Sequence, residues 1–315
     1  MIKTYTLEQG LVVETTDANA PVLLVTEPTP DEKARLINEF QIDEHTLDSS
    51  QDSNELPRIE VESNHLAVIF KEPKRYAATD NLVFRINSVG LFLFKDRLIV
   101  VAPPDMASLS GRTYTKIRDI RMLFLRVLTA GVTHFVAHLQ VINTIVDDLE
   151  QKLVKSMENR SLMLMFQIEK SLVYYVNAIS ANGRVIERLK VNARNSQTEG
   201  LTPEMMEQVD DLAIDNAQCL EQAQVYANVL TGLMDARASV VSNNLNVLMK
   251  RLTVINVVFM PLNVIAGIGG MSEFSMMTRG IAWPIAYSVF GVGLTIIGVV
   301  TYIILQRVEK QSFGR

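Results

Sequence analysis

The stretch Asn246 to Phe274, NVLMKRLTVINVVFMPLNVIAGIGGMSEF, constrains this chain most. It runs from a polar, charged segment into 21 uncharged residues, Leu252 to Ser272, with no turn signal at the join. At about 1.5 Å rise per residue, a helical run of this length crosses a bilayer. A span that faces only lipid is apolar on every side, and this one is not. Asn246, Met249, Thr253, Asn256, Met260, Asn263 and Gly267 recur at steps of three and four, so they share one helical stripe. An amide turned toward hydrocarbon costs several kcal/mol, so the stripe must face protein or water. Two readings fit. The asparagines can be hydrogen-bonded glue between membrane helices. Alternatively, several copies around an axis turn each position into a ring, with amides holding a hydrated ion and methionines forming apolar constrictions.

A second uncharged run follows, 27 residues from Gly280 to Gln306, and predicts a span over Ile281 to Leu305. Ser272 to Gly280 reads as the loop between the two spans. The second span is apolar on all faces, with Gly291, Gly293 and Gly298 allowing close packing. It lacks the asparagine stripe, which places it outside, against lipid. Trp283 and Tyr287 suit the interfacial belt at one end, and Tyr302 suits the other. Lys250 and Arg251 precede the first span, and Arg307, Lys310 and Arg315 follow the second. The loop carries only Arg279, offset by Glu273. Both ends are therefore expected on the cytoplasmic side, with 306–315 as a short tail and the loop outside. The opening MIKTYTLEQG has no apolar core, so a cleaved signal is not expected.

Ahead of the spans, residues 1–115 read as an α/β domain. Leu11–Thr15 and Val22–Thr26 are β-branched runs. Thr29-Pro30-Asp31-Glu32 opens a helix, with Thr29 as cap and Pro30 in the first turn. Arg58–Phe70 and Leu82–Ala102 read as strands, the latter with a hairpin turning at Lys95-Asp96. Residues 116–202 form a long helical hairpin, with helices from about Tyr114 to Glu158 and Ser161 to Arg194. A polar break at Asn195 to Gly200 follows. Thr202-Pro203 then restarts a helix, and no further proline appears before Pro261. The simplest reading is one stalk helix, 203–271, roughly 100 Å long at the standard rise, that continues into the first span. The alternative is a break near Gly232.

The net charge of −5 argues against a nucleic-acid partner. The single Cys219 excludes an intramolecular disulfide and a cysteine metal cluster. No GxSxG, P-loop, HExxH or GxGxxG pattern occurs, so no enzyme is expected. His134 and His138 share a helical face, yet Val141, Ile142 and Ile145 stand where a third ligand would lie one turn on. Asp147, Asp148 and Glu150 read as a solvated face. Asp210, Asp211 and Asp215 could hold a hard cation between neighbouring chains, or could equally be solvated.

The run Ser239 to Phe274 resembles the pore helix of the CorA-type divalent metal transporters. That family carries two C-terminal spans and a Gly-Met-Asn motif at the outer end of the first. This chain has Gly270-Met271-Ser272, preceded by Gly269 where an aromatic is usual, with Phe274 two places after the motif. The frame matches and the signature asparagine does not, which points to a divergent branch. Several properties follow from the resemblance alone. The fold is a funnel of five copies, with an α/β cytoplasmic domain, long helices and two transmembrane helices. The face carrying Asn246, Met249, Leu252, Met260, Asn263 and Gly267 lines the pore, with Met249 and Leu252 at an inner gate and Asn256 as an added polar ring. Ser272 stands at the outer mouth, with Glu273 beside it. Asp211 falls where the family places one acid of a regulatory site between subunits. The expected partners are further copies of the chain, the membrane and divalent cations, with no tightly bound cofactor. The expected function is conduction of Mg²⁺, or of Zn²⁺, Co²⁺ or Ni²⁺, without ATP. The alternative is a non-conducting scaffold or sensor that kept the fold and lost the motif.

Overall fold

Seven short runs become strands of one sheet in the computed structural model, which describes residues 1–75, 83–106, 108–109, 111, 114–155, 159–194 and 202–312. The chain divides into two compact units, Met1–Asp235 and Ala236–Arg315. The first unit opens with β1 (Ile2–Glu8), β2 (Leu11–Thr15) and β3 (Val22–Thr26), then α1 (Pro30–Phe40) and α2 (Glu44–Ser49). Strands β4 (Arg58–Val61), β5 (His65–Pro73), β6 (Ile86–Phe94) and β7 (Leu98–Ala102) complete the sheet. The order across it is β2-β1-β3-β7-β6-β5-β4. Only β3 and β7 run parallel, with Val22 opposite Leu98, and the other pairs are antiparallel.

Both faces of the central strands are covered, which explains runs such as LIVVA that carry no polar alternation. Leu23, Val25, Ala67, Phe92, Ile99 and Val101 pack with Leu36, Ile42 and Leu47, on the side of α1 and α2. The residues between them, including Val22, Leu24, Val68, Phe70, Leu91 and Val100, turn to the other face. There they meet α3 (Ile120–Lys155), α4 (Asn159–Arg194) and the first part of α5 (Pro203–Gly269). The unit is thus a three-layer α/β/α sandwich.

Local signals set the ends of these elements. Thr29 accepts from the Glu32 backbone N–H at 3.3 Å, and Glu32 accepts from the Thr29 N–H at 2.9 Å, a complete capping box before α1. The β6–β7 hairpin turns at Lys95-Asp96, with the Phe94 N–H donating to the Arg97 carbonyl at 2.8 Å. Arg58–Phe70 is two strands and not one, because a turn intervenes in which the Glu62 N–H donates to the His65 carbonyl at 2.9 Å. Helix α3 begins at Ile120 and not at Tyr114, since Asp119 accepts from the Met122 N–H at 2.8 Å and so caps it. Thr202 accepts from the Met205 N–H at 3.3 Å ahead of Pro203. Helix α5 then runs 67 residues without a break at Gly232. The polar break expected at Asn195 to Gly200, and Glu158, lie outside the described residues.

Buried amides fix α4 to its neighbours. Asn182 is fully buried, and its side chain both accepts from the Lys71 N–H at 2.9 Å and donates to the Lys71 carbonyl at 2.8 Å. Asn216 of α5 donates to the Ile179 carbonyl at 3.1 Å. A side chain at Gly183 would meet the Asn216 amide at 3.0 Å, so the glycine keeps room for that bond. Three helical stretches are long and apolar enough to cross a membrane: Ile120–Gln151, the apolar part of α5, and Trp283–Leu305. Within the molecule they are 61%, 6% and 0% buried, respectively. The first is therefore a core helix against the sheet and α4, and its hydropathy reflects burial in protein.

Candidate ion path

The second unit consists of the later part of α5, α6 (Ser272–Met277) and α7 (Trp283–Ser312). Two close contacts join its helices. Phe290 of α7 lies so near Gly269 that a Cβ there would sit 2.4 Å from its ring, and Leu262 would lie 3.3 Å from a Cβ at Gly298. Phe274 adds to the contact just past the end of α5, its ring 5.1 Å from Phe290 and 5.7 Å from Tyr287 between centroids. On α5 from Arg251 onward the residues that lose exposure are Val254, Val258, Pro261, Leu262, Ile265 and Gly269. They recur at steps of three and four and mark the face of α5 turned toward α7.

At about 100° per residue, the asparagine stripe lies on the opposite side of the helix. Asn246, Met249, Leu252, Thr253, Asn256, Met260, Asn263 and Gly267 are all exposed, Met260 at 73%. Within the stripe, the Thr253 hydroxyl donates to the Met249 carbonyl at 2.9 Å, so its hydrogen is already used inside the helix. The side chains of Asn246, Asn256 and Asn263 make no hydrogen bond among the described residues. Pro261 has no N–H to offer the Val257 carbonyl one turn earlier, and that gap in the helical ladder lies away from the centre of the stripe, toward the side that carries Pro261.

At the end of α5, the Gly270 N–H donates to the carbonyls of Ala266 and Gly267, and the Met271 N–H donates to Ile268. The helix then stops and α6 starts at once, with Met271 as a cap residue that makes no side-chain bond. The expected loop thus contains a six-residue helix, which Glu273 suits as an acid in its first turn. Gly270, Met271, Ser272 and Glu273 are exposed. The Ser272 hydroxyl donates to the Glu273 carboxylate at 3.1 Å. The apolar stretch of the next helix, Trp283–Leu305, lies within the second span expected over Ile281 to Leu305. Helix α7 begins at Trp283 and continues past Leu305 to Ser312, because Gln306 to Ser312 holds no glycine or proline to end it.

The remaining candidates lie in the first unit. Asp210 pairs with Lys190 of α4 at 2.6 Å, which gives it a structural partner. Asp211 and Asp215 are exposed and one turn apart. No group of three His, Cys, Asp or Glu able to hold a metal occurs among the described residues. The structure accounts for His134 and His138 separately. His134 Nδ1 lies 3.0 Å from Glu72, and His138 Nδ1 lies 2.7 Å from the Tyr175 hydroxyl. Asp147, Asp148 and Glu150 are exposed.

Comparison with known proteins bears on the fold and the family. A family model described as CorA-like Mg²⁺ transporter protein matches residues 23–307. The cobalt/magnesium transport protein CorA of Methanocaldococcus jannaschii is 25% identical over 256 residues, which cover 78% of each chain. The complete structure of the CorA magnesium transporter from that organism matches with a TM-score of 0.73 and 19% identity, over 98% of both chains. The full-length CmaX protein matches with a TM-score of 0.68 and 13% identity, over 97% of this chain and 96% of that one. At such identities the structural likeness is one of fold, but the family model spans nearly the whole chain, and this protein belongs to the CorA-like Mg²⁺ transporter family.

Proposed function

We propose that the chain forms a homopentamer that conducts divalent metal cations along an axial path lined by the second half of α5. The observation that carries this reading is the position of the stripe. Its amides point away from α7, the neighbour that could have satisfied them, and an unpaired amide does not persist in lipid. Copies of the chain packed with α7 outward bring the stripes together around water.

In this arrangement a cation enters past Ser272 and Glu273, then passes the rings of Asn263, Met260 and Asn256. It leaves through the apolar constriction at Met249 and Leu252. A divalent ion such as Mg²⁺ gives up its water reluctantly, so amide and hydroxyl oxygens act on its hydration shell. No ATP is needed: at 100 mV, inside negative, a divalent ion gains about 4.6 kcal/mol on entry, at ~2.3 kcal/mol per charge. The charge pattern of the spans supports a reading with both termini in the cytoplasm, and the family resemblance supports a membrane such as the bacterial inner membrane. Asp211 and Asp215, exposed on α5, are free to meet a neighbouring copy around a regulatory cation.

The test is metal flux into proteoliposomes that hold the purified oligomer, comparing Mg²⁺, Zn²⁺, Co²⁺ and Na⁺. Asn263→Leu is expected to lower divalent flux at least tenfold while the oligomer stays intact. Unchanged flux in that variant would take the stripe out of the path. A well-folded oligomer that passes no cation, with or without internal divalents, would favour the scaffold reading and make the asparagines an assembly feature.

A further inference from the structure

A cavity of about 240 Å³ lies in the first unit, where β5 and β7 end beneath α3. It is smaller than the roughly 300–1,000 Å³ of drug-sized sites, so it has room only for a small molecule. Its wall carries charges of both signs: Glu72, Asp105 and Arg75, together with Tyr114 and His134.

The two carboxylates are held in place before any ligand arrives. Glu72 meets His134 Nδ1 at 3.0 Å. Asp105 accepts from the Arg75 backbone N–H at 2.9 Å and from the Asn87 amide at 3.1 Å. Each retains lone pairs for a further donor. The donors are the part left over. Tyr114 is 8% exposed, yet its hydroxyl makes no hydrogen bond among the described residues. Burial pushes that phenol up to about 12, so it remains a protonated donor at neutral pH. The Arg75 guanidinium forms no ion pair among the described residues. The Tyr114 ring is buried while its hydroxyl lines the cavity, where it can donate to an occupant.

We infer that this cavity binds a small zwitterion of the α-amino-acid class, its carboxylate on Arg75 and the Tyr114 hydroxyl and its ammonium on Glu72 and Asp105. An anion alone would leave the two carboxylates facing it. An amine alone would engage neither the guanidinium nor the phenol. A molecule with both charges engages the whole wall. The site is remote in sequence from the stripe, and its occupancy does not depend on conduction.

The experiment is isothermal titration of the full-length oligomer in detergent with a panel of α-amino acids. Acetate and propylamine serve as probes that carry one charge each. At least one amino acid is expected to bind saturably, and each single-charge probe at least tenfold more weakly. Arg75→Met and Tyr114→Phe are each expected to weaken that binding about tenfold. Arg75 is exposed and Tyr114→Phe keeps the ring, so both variants retain the fold, which the oligomer size and unfolding temperature verify. The absence of saturable binding across the panel would overturn the inference. So would a single-charge probe that binds as tightly, or binding unchanged in both variants. Flux plays no part in the readout, so this result and that of the flux assay fail independently.

Discussion

His138 shows how a single side chain of this protein is set by its surroundings. It is 8% exposed, stacked near Tyr175 and edge-on to Phe84, and burial together with neighbouring His134 pushes its pKa down to about 4. An unfolded histidine titrates near 6.5. Between those values the unfolded chain takes up a proton that the folded chain refuses. The stabilisation is therefore complete above about pH 6.5 and is lost as pH falls toward 4. The unfolding temperature should drop over that window. His138→Gln, which keeps an acceptor for the Tyr175 hydroxyl, should make the drop shallower, and parallel curves for the two proteins would contradict this. Ser272 is the other residue where one side chain decides an outcome. Its hydroxyl is turned to Glu273, so the proposed mouth offers a carboxylate ring where the family has amides. Ser272→Asn is expected to raise Mg²⁺ flux relative to Zn²⁺, read in the same vesicles.

Helix α5 separates its two faces by burial. The face with Val254, Val258, Leu262 and Ile265 is partly covered, and the face with Asn256, Met260 and Asn263 is open. Cysteine substitution can read this difference directly, because the native Cys219 is 1% exposed and burial pushes its thiol up to about 12. Such a thiol is inert to polar alkylating reagents. A cysteine at Asn256 should be modified by a charged thiol reagent and should then block flux. One at Val254 should react at least tenfold more slowly, and equal rates at both would dissolve the distinction. Gly269 marks where the helices meet most closely. Gly269→Val drives a side chain into Phe290 and should cost about 1–3 kcal/mol, seen as a lower unfolding temperature of the oligomer.

At this scale the sequence was readable wherever a local rule acted. The β3 and β7 runs, the Thr29 cap, the Thr202-Pro203 restart and the asparagine stripe each rest on spacing or on a capping side chain. What it hid depended on partners far away in sequence. Strand β1 has a plain polar pattern and forms because Ile2 to Tyr5 pair with β3. Helix α2 is only six residues long and is anchored by Asp43, which accepts from the Thr46 N–H at 2.9 Å. The cavity draws Glu72, Asp105 and Tyr114 from separate segments, and no spacing announces that.

For the molecule as a whole, the proposed pentamer has a countable consequence. Native mass spectrometry of the detergent-solubilised protein should show five copies of the 35.3 kDa chain, and a dimer or tetramer would break the five-membered ring on which the path depends. The exposed apolar surface of α4, with Met163 at 60% and Phe166 at 50%, is available for contacts between copies. The stripe itself has one further consequence. From Asn246 to Gly267 it contains amides, a hydroxyl, thioethers and apolar groups, and none of these gains or loses a proton at ordinary pH. Inward of the mouth at Glu273, the proposed path has no titratable relay along which a proton can be handed. On this reading metal travels uncoupled, driven by the membrane voltage and its own gradient, and a pH difference of either sign is expected to leave the rate unchanged.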